Sequence, residues 1–334
     1  PLETASMAIV PDPENANARI AGLDPDGYYK PISERKASGL RFMSTDDVFQ
    51  YWVENIAPEI LKKSEDIKIF MLCHKPVDYG FIDNEIVTPI ECGASVIDNN
   101  ACELKDNIGD NISYLNQFYT EDTGIYWIWK NANNCKYKGQ IQYRRRFRLL
   151  EEPFDFDKCF TEYDAIIAEP MDLANLYMIP SLTLEKQYLI AHNVNDLYLM
   201  EQIIKEKYPK YATDYDRYIK NGQLILYSNG FILKVEDYNN YCNELFDILN
   251  EWLIRMGINN DMNALHEYVY NSIMNGEISN ATMDVFHRAD IDYACKYQMR
   301  IGGSLAERFF TLYAFHNFKN ILFIPYEKPE GNFL

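Results

Sequence analysis

The sequence has no run of about 18 or more apolar residues. Its richest stretches, Ile67 to Cys73 and Gly222 to Val235, are interrupted by Lys, Gln, Ser or Asn, which argues against a helical membrane span. Basic residues are scarce, with 32 Lys and Arg against 50 Asp and Glu and a formal net charge of −18. Long-range electrostatics therefore disfavour nucleic acid and anionic lipid surfaces, and a bound anion needs a local basic site. There is no Cys-x-x-Cys pair and no His–Cys cluster at zinc-ligand spacing. The seven cysteines, an odd number, read as reduced, mostly buried thiols of a cytoplasmic protein. No internal period recurs, which excludes a solenoid or propeller. Pro1 to Ser6, ahead of Met7, read as a cloning remnant, and no basic-then-apolar leader follows them.

The 334 residues are 47% hydrophobic and 14% aromatic, enough for a large core and against global disorder. Residues 7–64 divide into a Pro-punctuated arm and a helix entered through Ser44 to Asp47, with Val48, Trp52, Ile56 and Ile60 on one face. A main domain over 65–327 and a tail over 328–334 complete the division. Ile67 to Cys73 fits a buried strand with His74-Lys75-Pro76 at its exit, the edge where open α/β sheets bind ligands. Helices are expected over Asn111–Tyr119, Thr123–Asn131, Val194–Lys207, Tyr238–Met256 and Leu305–Phe315, the last opened by Gly302-Gly303-Ser304. Tyr137 to Arg144 alternates as a half-exposed strand would. Tyr163–Ala168, Leu224–Lys234 around Asn229-Gly230, and Ile321–Pro325 add further strands. Strands alternating with helices point to an α/β fold with a mostly parallel central sheet.

Four islands stand out: CHKP at 73–76, GDNISYLN at 109–116, EDTGIYWIWKN at 121–131 and YRRRF at 143–147. With YSNGFILK at 227–234, YCNELFDIL at 241–249 and GSLAERFF at 303–310, they resemble a bacterial family of capsule and exopolysaccharide glycosyltransferases catalogued as a domain of unknown function. The resemblance spans about Ile67 to Pro325 and implies a GT-A-like fold and a nucleotide-sugar donor; galactofuranosyl transfer is associated with some members. The family's basic island carries His where Gln142 stands and Tyr where Arg146 stands, while Tyr143, Arg144, Arg145 and Phe147 match.

A nucleotide-sugar enzyme must hold a diphosphate whose charge grows as it leaves, with a metal on an Asp-x-Asp pair or with fixed cations. The strand exit here offers Tyr143-Arg144-Arg145, and Arg donates two parallel charge-assisted bonds to phosphate. The competing reading is a solvated strand end. Asp155-Phe156-Asp157, Asp214-Tyr215-Asp216 and Asp290-Ile291-Asp292 match Asp-x-Asp formally; among 50 acids such matches arise by chance. Asp155 and Asp157 are the best metal alternative. Asp110 and Asn111 either cap a helix or meet the donor. Lys130 is a phosphate candidate or ordinary helix-end charge, and of Trp127 and Trp129 at least one belongs to the core. His74 and Lys75 at a strand exit are candidates to meet uracil or phosphate. Glu307 near a helix start is the candidate base for the acceptor hydroxyl, against a capping-box or dipole role in Ser304-Leu305-Ala306-Glu307. Asn229 and Arg308 are assigned to the acceptor side.

The chemistry thus expected is sugar transfer from a nucleoside-diphosphate donor, of the UDP-hexose type, to a saccharide or lipid-linked saccharide. No required cofactor is expected, and Mn2+ or Mg2+ is compatible. Two other classes fit the composition: a non-catalytic carbohydrate or partner module using the 26 tyrosines, and a nucleotidyl- or phosphotransferase using the arginines. Nucleoside diphosphate binding separates the glycosyltransferase from the module. A cytoplasmic location, with peripheral contact at the inner membrane face, accords with this chemistry.

Overall fold

The run Ile67–Cys73 has no polar face to offer water, so it needs cover on both sides. It obtains it: Phe70 and Leu72 pack into one hydrophobic cluster, and Ile69, Met71 and Cys73 into a second on the opposite face of the sheet. The computed structural model describes residues 66–76, 86–97, 99–147, 154–278 and 290–327, all within the unit Ser64–Leu334. The expected arm, the helix from Val48 and the tail lie outside the described residues.

The strands in chain order are β1 (Ile67–Cys73), β2 (Val87–Glu91), β3 (Leu104–Lys105), β4 (Tyr137–Gln142), β5 (Arg146–Phe147), β6 (Ala165–Ala168), β7 (Met171–Asp172), β8 (Leu224–Ile225), β9 (Phe231–Lys234), β10 (Ile321–Ile324) and β11 (Tyr326–Glu327). Seven form one sheet in the order β10-β6-β9-β4-β1-β2-β3; β5 with β11 and β7 with β8 form two small antiparallel pairs. Within the large sheet β1 runs parallel to β2 and β4, and β6 to β10, whereas β9 is antiparallel to both of its neighbours, β4 and β6. That single reversal positions the site. The entrance to β9, at Asn229-Gly230, stands at the edge where the parallel strands end, and Ala168 N–H donates to the Gly230 carbonyl at 2.8 Å.

The longer helices are α1 (Asp122–Asn131), α2 (Phe156–Glu162), α3 (Leu184–Ala191), α4 (Val194–Lys207), α5 (Val235–Arg255), α6 (Met262–Met274), α7 (Ile291–Gln298) and α8 (Ile301–Asn317). α5 buries Tyr238, Tyr241, Leu245, Leu249 and Trp252, spaced three or four apart, on the β-sheet face that α1 and α8 also cover. α2 packs Phe156 and Phe160 on the other face. α4 starts at the Asn193 cap, whose Oδ1 accepts from Asn195 N–H at 3.0 Å, and ends before Pro209, as its pattern predicts.

Three expectations change. β4 is no half-exposed strand: it stops at Gln142, and Lys138 and Gln140 are fully buried because helices cover both faces of a central strand. Lys138 Nζ donates to Asn133 Oδ1 at 2.9 Å and Asn239 Oδ1 at 3.2 Å, and burial pushes its pKa down to about 8. The expected helix over 111–119 is a 3-10 turn at Ser113–Leu115 followed by one α turn at Asn116–Tyr119. The last helix begins before its glycines, at Ile301, with Arg300 at the N-cap position. A Cβ on Gly302 would meet Phe118 Cε1 at 2.7 Å and one on Gly303 would meet Thr120 Oγ1 at 2.3 Å, so the glycines let α8 lie against 118–120. Ser304 is therefore interior to the helix, and Glu307 stands in its second turn, which removes the capping-box role.

Candidate active site

At the carboxyl edge of the sheet two cavities of about 340 and 510 Å3 share Thr120, Glu121 and Arg300. Thr120 ends the short helical turn with φ of 55°, a costly value for a β-branched residue, and Asn116 Nδ2 holds its carbonyl at 2.5 Å.

The smaller cavity begins at the exit of β1. His74 stands exposed there with its ring edge-on to Tyr143, 5.0 Å between centroids. Arg144 Nε donates to Tyr143 Oη at 2.7 Å, and the same phenol oxygen lies 3.1 Å from His74 Nε2. Desolvation by the surrounding atoms, then the Arg144 guanidinium 3.4 Å from Nε2, lowers the His74 pKa. Asn99 Nδ2 donates to the His74 carbonyl at 2.7 Å. Arg144, Lys296 and Arg300 bring three cations to this cavity, and Lys75 adds positive potential beside His74.

The larger cavity presents Ser304, Glu307 and Arg308 of α8, Gln187 of α3, and His192 just beyond it. Glu307 is 29% exposed, and its carboxyl pKa is raised, foremost by desolvation and also by Glu121, with Arg308 opposing. Arg308 Nη1 donates to the Ser304 carbonyl at 2.9 Å and to Glu307 Oε2 at 3.3 Å, while Nη2 meets Gln187 Oε1. Asp122, first in α1, is 1% exposed with neither carboxylate oxygen partnered, and burial pushes its pKa well above the ordinary range.

Between the cavities runs a polar chain. Arg145 Nη1 donates to Asn229 Oδ1 at 2.7 Å, Asn229 Nδ2 donates to Glu121 Oε1, and Gln142 Nε2 reaches the same oxygen at 3.2 Å. A tight turn after β4, with Arg145 N–H on the Gln142 carbonyl at 2.9 Å, separates the two arginines. Arg144 faces the smaller cavity, whereas the Arg145 guanidinium lies 3.5 Å over the Tyr227 ring at the larger one.

Of the residues singled out from sequence, His74 and Arg144 meet in the smaller cavity, with Tyr143 bonded to both. Glu307 and Arg308 line the larger, and Arg145 and Asn229 join the chain between. Asp110, Asn111 and Lys130 line neither cavity. They gather at the far end of α1, roughly 15 Å from Glu121 by helix rise. There Asp110 N–H donates to Asn131 Oδ1 at 3.2 Å, Asp110 Oδ1 accepts from Tyr126 Oη at 3.2 Å, and Asn111 Oδ1 accepts from Ser113 N–H at 3.2 Å. Lys130 Nζ sits 3.5 Å over Trp129, which stacks on Phe246, and Trp127 Nε1 donates to the Ile108 carbonyl at 2.8 Å. Asp155 caps α2 through Lys158 N–H at 3.0 Å, and Asp157 accepts from Tyr137 Oη at 2.7 Å. Both stand by the start of β4, the opposite edge of the sheet from Arg144. Among the described residues no three His, Cys, Asp or Glu side chains gather as a metal site. Glu121, His192, Lys296 and Arg300 are members that the sequence did not single out; Glu121 opens the EDTG island, and the others carry no local signal.

Residues 68–290, about two thirds of the chain, match the family described as Domain of unknown function (DUF4422). No curated protein matches the chain. Among solved structures, the apo structure of the bifunctional glycosyltransferase WbbM is similar, with a TM-score of 0.58 at 20% sequence identity, covering 80% of this chain and 46% of that one. The chain thus spans less than half of WbbM. The likeness is one of fold, an α/β, GT-A-like, mostly parallel sheet flanked by helices.

Proposed function

The chain belongs to the DUF4422 family, and from that footing we propose that it is a glycosyltransferase that moves a sugar from a nucleoside-diphosphate donor to a saccharide hydroxyl. The observation that carries this reading is the pairing of the two cavities: one collects cations, the other presents a carboxylate of raised pKa, and they meet at Glu121.

In this reading the diphosphate lies in the smaller cavity, where Arg144, Arg300 and Lys296 stabilise the charge that grows as it departs. The acceptor sugar lies in the larger cavity with its hydroxyl toward Glu307. The acceptor oxygen forms a bond to the anomeric carbon as the bond from that carbon to the phosphate oxygen breaks. Glu307 takes the hydroxyl proton, and the nucleoside diphosphate leaves with the bonding pair. Desolvation strengthens Glu307 as a base, and Arg308 limits how far its pKa rises. Fixed cations supply the leaving-group charge, so a metal is not obligatory in this scheme; Mn2+ or Mg2+ bound with the donor would add to it. The islands' resemblance to capsule and exopolysaccharide enzymes directs the reading to surface-polysaccharide synthesis from a UDP-hexose, with UDP-galactofuranose first among donors to test and a lipid-linked saccharide among acceptors.

The test is thermal shift and titration calorimetry with UDP and other nucleoside diphosphates, each in EDTA and in manganese, since a ligand of the native state raises its apparent stability. Binding of one of them, followed by its release from the corresponding nucleotide sugar, is expected. Glycan binding with no nucleoside diphosphate affinity would make the chain a binding module instead, and release of phosphate or pyrophosphate would make it a phospho- or nucleotidyltransferase.

A further inference from the structure

A hydrogen-bond relay in the larger cavity has a polarity that can be read from one end. The Ala191 carbonyl can only accept, and Gln298 Nε2 donates to it at 3.0 Å, which turns Oε1 of the same amide toward His192 Nδ1, 3.0 Å away. Nδ1 therefore carries the ring proton. Nε2 is left as a bare acceptor 3.1 Å from Ser304 Oγ, so the serine directs its one proton there. Burial, then the nearby Arg308 and Arg300, hold the His192 pKa down to about 3, which keeps the ring neutral. Ser304 thus faces the cavity with lone pairs and no proton. It lies one helical turn before Glu307 on the same face of α8, roughly 5–6 Å apart at Cβ.

We propose that Ser304 and Glu307 form an acceptor-sugar subsite that selects a vicinal diol, Ser304 accepting a hydrogen bond from one hydroxyl while Glu307 receives the neighbouring one that reacts. This rests on the glycosyltransferase reading and adds to it a specificity-determining residue, Ser304, with His192 and Gln298 as its positioning residues. A ligand group that is only an acceptor, such as a methyl ether or a phosphate oxygen, would face the serine lone pairs unpaired.

Two measurements on the full chain test it. 15N-edited NMR of the imidazoles should show His192 as the Nδ1–H tautomer. Saturation-transfer NMR with methyl galacto-, gluco- and mannopyranosides should show at least one bound. Ser304→Ala should weaken that glycoside about tenfold, the loss of one hydrogen bond, and leave nucleoside diphosphate affinity within about twofold. Gln298→Glu places a carboxylate on Nδ1–H, raises the imidazole pKa against Arg308 and Arg300, and should make glycoside binding fall as pH drops, because a cationic ring donates from Nε2 and turns the serine proton into the cavity. An Nε2–H tautomer, a wild-type chain that binds none of the glycosides, or equal binding by Ser304→Ala overturns the proposal. If nucleoside diphosphates still bind, this inference alone falls; if none binds, it is the glycosyltransferase reading that fails.

Discussion

Asn229 donates its side-chain amide to Glu121, joining the residue that enters the reversed strand β9 to the residue that enters α1. The contact lies on the seam between the two cavities, and Asn229 also accepts from Arg145 at 2.7 Å. One neutral amide thereby separates a cation from an anion and orders both. Asn229→Ala would leave Arg145 and Glu121 with an unmade bond each at a position 3% exposed in the native chain. A loss of about 1–3 kcal/mol in urea unfolding is expected, together with weakened turnover.

Glu307→Gln keeps shape and removes basicity. It should lower turnover by about 10²–10⁴-fold while changing nucleoside diphosphate affinity less than about twofold, since in the proposed reaction the base acts on the acceptor. The wild-type rate should fall on the acid side with a midpoint above the ordinary Glu value of about 4.3, because desolvation raises this pKa and the protonated form cannot accept. A pH–rate profile of the variant should lack that limb.

Arg144→Ala should cost about 10- to 100-fold in nucleoside diphosphate affinity, and it should do so in EDTA and in manganese alike. Arg145→Ala, whose guanidinium lies over Tyr227 and on Asn229, should spare that affinity more and reduce turnover. Equal calorimetric constants for Arg144→Ala and wild type, with wild-type binding lost in EDTA, would shift the diphosphate to a metal.

Asp122 makes stability pH-dependent. Its folded pKa lies above its unfolded value near ~4, so the native state retains the proton as the unfolded state loses it. Below that unfolded value the group contributes nothing; stability declines as pH rises from there through the raised folded pKa. Asp122→Asn removes this titration. Its Tm should match wild type near pH 4 and exceed it at pH 7 to 8 by about 1–2 °C, the equivalent of ~1 kcal/mol in a chain of this size.

Gly303→Ala sets two effects against each other. Alanine gains up to ~1 kcal/mol of helix propensity, but its Cβ would sit 2.3 Å from Thr120 Oγ1, and overpacking of that kind costs about 1–3 kcal/mol. Thr120 is short, β-branched and already at φ 55°, so it has little room to yield and the clash should win. Lower Tm and a lower turnover number, as α8 carries Glu307 away from the seam, are the expected readings.

Much of the sheet is legible in the sequence because its signals are local. Ile67–Cys73 and the interruption at Asn229-Gly230 declare themselves by apolar content and turn chemistry, and both fall where expected. Lys138 and Gln140 mislead because alternation reports polarity rather than exposure; their partners Asn133, Asn239, Ser228 and Tyr238 come from other segments. The helix start at Ile301 is obscured by Gly302-Gly303, which lower helix propensity and are required by the contact with Phe118 and Thr120. Arg144 and Glu307 stand out through their islands and reach the cavities. His192 and Gln298 do not stand out, because their pairing joins positions more than a hundred residues apart.

The order in which the chain is synthesised gives the late position of α8 a further consequence. A nascent polypeptide extended through residue 290 already contains β1 to β9 but neither Arg300, Ser304, Glu307 and Arg308 nor the closing strand β10. Because domains fold as units from chain already emerged, such an intermediate can begin its sheet while both cavities still lack a wall. In the glycosyltransferase reading, transfer would become available only after α8 has left the ribosome and docked against Thr120, so shorter nascent chains would not consume nucleotide sugar.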